Sequence, residues 1–315
     1  MLFCWFLNIS LGSVSIPLKE IFNSITGSGS NDSWQYIVLN YRLPKSFTAI
    51  LVGAGLSISG LLMQTLFRNP LAGPFVLGIS SGASLGVAIL ILGISLMGGT
   101  LAGFAFSNFG LAIAASLGAF LVLSAVMIVS RTLRNTMSIL IIGLMFGSLT
   151  AAVISLLSYF SSADQLQQYI FWGFGNLGNL SWRELLLFFS VFVIAIAMVT
   201  TIIKPLNSLL LGENYAQSLG INLKKTRNIV LIATGLLTGV ITAFSGPIAF
   251  VGLAIPHLTK LVFKTSNHKI LVPAVAVIGA IGMLLADTIA QLPNTEYTLP
   301  INAITSIFGA PIVIW

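Results

Sequence analysis

Residues 184–203 read ELLLFFSVFVIAIAMVTTII, one acid followed only by apolar, serine and threonine side chains. As a helix this run is about 30 Å long, the thickness of a bilayer's hydrocarbon core. It does not alternate between apolar and polar residues, so it does not read as a barrel strand. It is apolar on every face, which no helix lying on a water-soluble core would be. Ser181-Trp-Arg-Glu184 opens it as a capping box, with Trp182 at the depth of the membrane interface. Both features of that opening read as structural.

The rest of the chain has the same character. Of its 315 residues 57% are hydrophobic and 7% charged, against roughly 25% charged in soluble domains, and the mean hydropathy is +1.03. The bilayer must be its solvent, and only helices or closed barrels cross lipid. The expectation is an all-α polytopic membrane protein with about ten transmembrane helices, short and kinked, forming a single transmembrane domain over 1–315. The expected spans run about 1–12, 46–67, 75–97, 108–130, 138–158, 184–203, 228–244, 248–263, 270–290 and 299–315. The first and last are short for a crossing and lack flanking basic residues, so the expectation is a chain clipped at both termini. Cys4 is the only cysteine, which leaves no disulfide framework and no cysteine metal cluster. The first ten residues lack the basic region and cleavage site of a signal peptide.

Charge sets the orientation. Loops after even-numbered spans hold Arg68, Arg131, Arg134, Lys204, Lys224, Lys225, Arg227, Lys260, Lys264 and Lys269; those after odd-numbered spans hold only Lys19, Arg42, Lys45 and Arg183. Glu20, Asp32, Asp164, Glu184 and Glu296 lie on the poorer side and Glu213 on the richer one. The richer side is therefore read as cytoplasmic, with both termini inside. The cations mark the ends of apolar runs and form no basic stripe, so the net charge of +7 does not indicate nucleic acid. On the outer side, Ser15-Ile-Pro-Leu-Lys19 reads as a helix start, with Ser15 as N-cap and an apolar face through Ile21, Phe22 and Ile25.

Directly after residue 203 comes KPLNSLLLGENYAQSLGINLKKTR, residues 204–227. Leu206, Leu209, Leu210, Ala216, Leu219 and Leu223 recur mostly three or four apart, so one face is apolar. Gly212 breaks the pattern and Gly220 is placed to end a second helix. Two short amphipathic helices on the cytoplasmic face of so oily a chain read as a handle for a soluble partner.

Other motifs are weaker. Gly78, Gly82 and Gly86 fall four apart, as do Gly143 with Gly147 and Gly235 with Gly239, a spacing that lets helices approach closely. Gly78-Ile-Ser-Ser-Gly82 also fits a nucleophile elbow, with His257 as base. An intramembrane serine hydrolase using Ser80 and His257 is thus a rival, but the elbow needs a strand-to-helix turn, and packing is favoured. His257 reads as a helix-end or interfacial group, and His268 as part of a basic loop without a second ligand. No paired-histidine spacing occurs, and no bound metal is expected. Asp287 is the only acid within the apolar band. It reads as hydrogen-bonded or packed, with a proton relay in an ion-coupled secondary transporter as the rival. No phosphate-binding loop of the G-x-x-x-x-G-K-[ST] type is present, so ATP-driven transport would need a separate ATPase. Arg42-Leu-Pro-Lys45 reads equally as interface charges or as a landing site for an acidic soluble protein.

Arg42-Leu-Pro-Lys45, Ser59-Gly60 with Gln64, Arg68-Asn-Pro-Leu-Ala72, Leu77-Gly78, Gly82-Ala83 and Phe171-Trp172 are followed by Leu211-Gly-Glu213 through Ala216 to Leu219-Gly-Ile221. Then come Ser245-Gly-Pro247, Phe250-Val-Gly-Leu253, Ile255-Pro-His257, Leu285-Ala-Asp287, Leu299-Pro300 and Phe308-Gly-Ala-Pro311. In this order, over nearly the whole chain, they resemble the FecCD-type permeases of type II ATP-binding-cassette importers for iron–siderophore complexes, haem and cobalamin. The resemblance implies a non-enzymatic transport subunit of a bacterial inner membrane, paired with a second permease copy, with iron–siderophore as the favoured cargo. It implies two cytoplasmic ATP-binding subunits that use ATP and dock at Gly212, Glu213, Ala216, Leu219 and Gly220. It implies an extracytoplasmic substrate-binding protein docking at Arg42 and Lys45, and a cytoplasmic gate at Thr136 and Met137. The fifth, eighth and tenth spans, with the short segment after the fifth, would line much of the path. A further family arginine appears here as Gln291. No cofactor bound by this chain is implied.

Overall fold

The computed structural model describes all residues except 13, 15, 29–30, 94–106, 131–132, 134–135, 179, 292–296 and 315. The expected cap Ser15, the charges Arg131, Arg134 and Glu296, and the end of the third expected span lie outside the described residues. The α-helices, in chain order, are α1 (Leu2–Ser10), α2 (Leu18–Thr26), α3 (Asp32–Ile37), α4 (Leu43–Leu66), α5 (Ile79–Leu92), α6 (Asn108–Ser130), α7 (Thr136–Tyr159) and α8 (Ala163–Gly173). They continue with α9 (Trp182–Thr201), α10 (Ile203–Leu209), α11 (Glu213–Ser218), α12 (Leu223–Ser245), α13 (Val251–Phe263), α14 (His268–Ala290) and α15 (Ile301–Ile314). Among the described residues there is no strand.

The all-helical membrane fold is as expected. Among the described residues, six helical stretches are long and apolar enough to cross a bilayer. The other four expected spans are α1, α5, α13 and α15, of 9, 14, 13 and 14 residues. A π-helical turn, Val38–Arg42, joins α3 to α4 in one rod, Asp32–Leu66. Its apolar window is 89% buried, against 17% for α7. The rod is therefore the hub, and α7 lies at the rim.

Glycine explains the tightness of the hub. A Cβ on Gly53 would lie 2.2 Å from the Gly279 carbonyl oxygen, and one on Gly60 1.7 Å from that of Gly252, so α4 meets α14 and α13 backbone to backbone. The expected ladder packs in the same way: Gly82 and Gly86 of α5 face Gly118 and Ala114 of α6. Gly143 of α7 meets the 3-10 turn Pro74–Leu77, where a Cβ would lie 2.2 Å from Val76 O.

Between α12 and α13 the chain unwinds from Gly246 to Phe250, and Phe250 adopts φ 64°. Freed backbone groups in a membrane need partners. Asn302 Oδ1 accepts from Ala249 N–H, and the Asn176 N–H donates to Ser245 O. Two local expectations need correction. Helix α2 begins at Leu18 with Pro17 at its N-cap position, later than read, and of its apolar face Ile21 is buried while Phe22 and Ile25 are exposed. His268 lies in no loop; it is the buried first residue of α14.

Candidate functional site

The polar interruption 204–227 folds as α10 and α11, with Gly212 between them at φ 112°. This positive φ strongly favours glycine. Leu206, Leu209 and Ala216 are buried against the core, whereas Leu210, Leu211, Tyr215 and Leu219 project outward. The amphipathic reading was right about the first group. Leu210 and Leu219 were expected on the same face and lie instead at 38% and 56% exposure; Leu219 stands past the last helical residue of α11, where the helical spacing no longer holds it to that face. Ala216 is 0% exposed, so any part it takes in docking must act through the packing of α11. Gly220 follows α11 in the left-handed region and is itself exposed.

Polar side chains fasten this segment at two places. On α10, Asn207 Oδ1 accepts from the backbone N–H of His268 at 2.8 Å and lies 2.8 Å from His268 Nδ1. Asn207 Nδ2 donates to Asn267 Oδ1, and His268 Nε2 reaches Thr65 Oγ1 at 2.8 Å. Because Oδ1 already accepts a backbone N–H, Nδ1 must carry a proton, which fixes the tautomer if the ring is neutral. This network ties α10 to α4 and α14. On α11, Glu213 Oε1 accepts a hydrogen bond of 2.6 Å from Thr136 Oγ1, the first residue of α7. Thr136, Met137, Gly212, Glu213, Phe67 and Arg68 line one cavity of about 620 Å³. The structure thus brings the expected gate residues against the expected docking residues, a juxtaposition that sequence spacing did not reveal.

On the opposite side, Arg42 Nη1 donates to Ile9 O at 2.6 Å and Ser10 O at 3.0 Å, and Nη2 to Val14 O. The guanidinium therefore caps the carbonyl end of α1, where the helix dipole favours a cation. Lys45 Nζ lies 3.0 Å from Asp287 Oδ1. Asp287 Oδ2 accepts from Asn8 Nδ2 at 2.9 Å and Gln291 Nε2 at 2.7 Å. Both cations thus serve contacts within the chain while lining a cavity of about 700 Å³ with Asn176, Asp287 and Gln291. Trp182 Nε1 donates to Leu39 O, and the capping box at Ser181 forms as read.

The hydrolase rival lacks its geometry. Ser80 lies in the first turn of α5, next to a 3-10 turn, with Oγ 3.5 Å from Thr242 Oγ1. His257 follows Pro256 inside α13. Among the described residues, no group of three His, Cys, Asp or Glu lies close enough to hold a metal ion.

Comparison with known proteins agrees over the full length. The family described as the FecCD transport family matches residues 1–315. The chain is 38% identical over 281 residues to the vitamin B12 import system permease protein BtuC of Salmonella paratyphi A, covering 89% of this chain and 83% of that protein. The same figures hold for BtuC of Salmonella typhi. A solved structure, an inward-facing conformation of a putative metal-chelate type ABC transporter, superposes with a TM-score of 0.84 at 31% identity, over 99% of this chain and 94% of that one.

Proposed function

The chain belongs to the FecCD transport family, and from that premise we propose that it is the transmembrane permease of an ATP-binding-cassette importer, moving an iron chelate across the bacterial cytoplasmic membrane by alternating access. The observation that carries this reading is the end-to-end superposition on a metal-chelate type transporter, with α10 and α11 standing where a soluble partner can reach them. The proposed cargo is an iron–siderophore complex, with haem and cobalamin as its rivals within the class.

In this reading the permease does no chemistry and binds no cofactor; ATP is used by two cytoplasmic subunits seated on α10 and α11. Leu211, Tyr215 and Leu219 offer them apolar anchors, and Gly212, Glu213, Ala216 and Gly220 shape the segment beneath. A second permease copy completes the pathway, and both termini lie in the cytoplasm. An extracytoplasmic binding protein docks around Arg42 and Lys45, steered by opposite charge. Thr136 and Met137 form the inner gate. Closure of the ATPases moves the docked segment, and the bundle rocks between outward-open and inward-open states.

The test is reconstitution in proteoliposomes with the ATPase subunits and the binding protein. ATP-dependent uptake of a ferric siderophore is expected, and the absorption spectrum of the copurified receptor's ligand separates siderophore, haem and cobalamin. Uptake driven by a proton gradient without ATP, and lost in Asp287→Asn, would overturn the reading.

A further inference from the structure

The two short helices of the cytoplasmic segment are attached to different parts of the molecule. Helix α10 is bound to the hub: Asn207 holds the first residue of α14, and His268 passes the contact to Thr65 near the end of α4. Helix α11 reaches instead to α7, through the Thr136–Glu213 hydrogen bond. Gly212 lies between the two attachments with a backbone conformation that frees the direction of α11 from that of α10. A segment anchored to the most buried helix on one side and to the least buried long helix on the other can transmit a relative movement between them.

We propose that Glu213 and Thr136 form the tie through which displacement of α11 is passed to the gate end of α7, so that Glu213 is a positioning residue for the gate as well as part of the docking segment. A 2.6 Å hydroxyl-to-carboxylate contact lies within the range of charge-assisted bonds, which are roughly twice as strong as neutral ones. Thr136 is 8% exposed, so little water competes for its hydroxyl. Met137, the next residue, is 44% exposed and opens onto the same cavity. A pull on Glu213 therefore arrives one residue from a side chain that can report it. The tie rests on the transporter reading above, because only a partner that moves α11 gives it a task.

The test uses the full complex with its ATPase subunits, in a Cys4→Ser background carrying Met137→Cys. The rate of reaction with a membrane-impermeant maleimide is measured with and without ATP and vanadate. In the parent, ATP changes this rate. Thr136→Val and Glu213→Gln should each shrink the ATP-dependent ratio by roughly tenfold, the scale set by losing one hydrogen bond to a charged group, and in Thr136→Val, which lies outside the docking segment, the ATPase subunits should still copurify. Thr136→Ser, which keeps the hydroxyl, should restore it. An undiminished ratio in Thr136→Val, or in Glu213→Gln if the valine variant does not assemble, overturns the tie and leaves the transporter reading standing. No ATP response in the parent overturns both.

Discussion

Lys45 Nζ stands 3.0 Å from Asp287 Oδ1, and the carboxylate it meets is almost entirely buried. This pair joins α4 to α14, and Asn8 brings α1 to the same carboxylate. A cation that lines the 700 Å³ cavity and the acid of the apolar band, which sequence reading treated separately, are one unit.

Breaking that unit should cost stability before it costs transport. Removing one partner of a buried ion pair leaves an uncompensated charge, typically worth about 3–5 kcal/mol; with Lys45 22% exposed, about 2–4 kcal/mol is expected here. Lys45→Met should lower the unfolding midpoint in detergent, and adding Asp287→Leu should recover part of the loss. A Lys45→Met protein of unchanged midpoint would show that the pair holds nothing together.

Charge reversal at Arg42 and Lys45 should weaken capture of the binding protein and flatten its salt dependence, as screening reduces any steered encounter. Because Arg42 also caps α1, the neutral Arg42→Gln should destabilise by about 1–2 kcal/mol without reversing any field. Unchanged affinity at low salt in the double reversal would remove these cations from the docking surface.

The two faces of α11 should fail differently. Leu219→Asp alters an exposed side chain and should reduce copurification of the ATPase subunits with little change in thermal midpoint. Ala216→Trp forces a large ring into a fully buried position, where overpacking costs about 1–3 kcal/mol or more, so the midpoint should fall as well. Equal midpoints for both variants would contradict the assignment of faces.

Glycines that look alike in sequence should divide sharply. A Cβ on Gly60 would overlap the Gly252 carbonyl, whereas on Gly147 the nearest heavy atom is Ser81 Oγ at 3.5 Å. Gly60→Ala is expected to abolish stable expression. Gly147→Ala should be neutral or stabilising by up to about 1 kcal/mol through helix propensity. Yield and thermal midpoint decide it, and a well-folded Gly60→Ala protein would contradict the backbone contact.

Much of the fold was legible because bilayer thickness and backbone hydrogen bonding leave few options. Residues 184–203 announce α9, Ser181 and Glu184 mark its start, and Gly212 marks the break in the polar segment 204–227. Pairings between distant residues were not legible. Nothing in the spacing brings Thr136 to Glu213, Asn8 to Asp287, or Asn207 to His268, since each depends on how separate helices pack. Gly53 and Gly279 escaped the ladder reading for the same reason: a close contact needs one small residue on each helix, not a repeat along either. Helix α8 is the short segment after the fifth span that only the family resemblance pointed to, and its capping box at Ser162 and Gln165 was the signal in the residues themselves.

The contact between Gly143 and Val76 is a close backbone approach, and a turn of α7 about that point has unequal arms. Thr136 lies seven positions to one side of Gly143 and Tyr159 sixteen to the other, arms of about 10 Å and about 24 Å at the helical rise. A rigid rod pivoting there would move its far end more than twice as far as its tied end. A stroke of about 1 Å delivered at Thr136 would thus become roughly 2 Å at the opposite end of the helix, and the ratio is set by where one glycine sits.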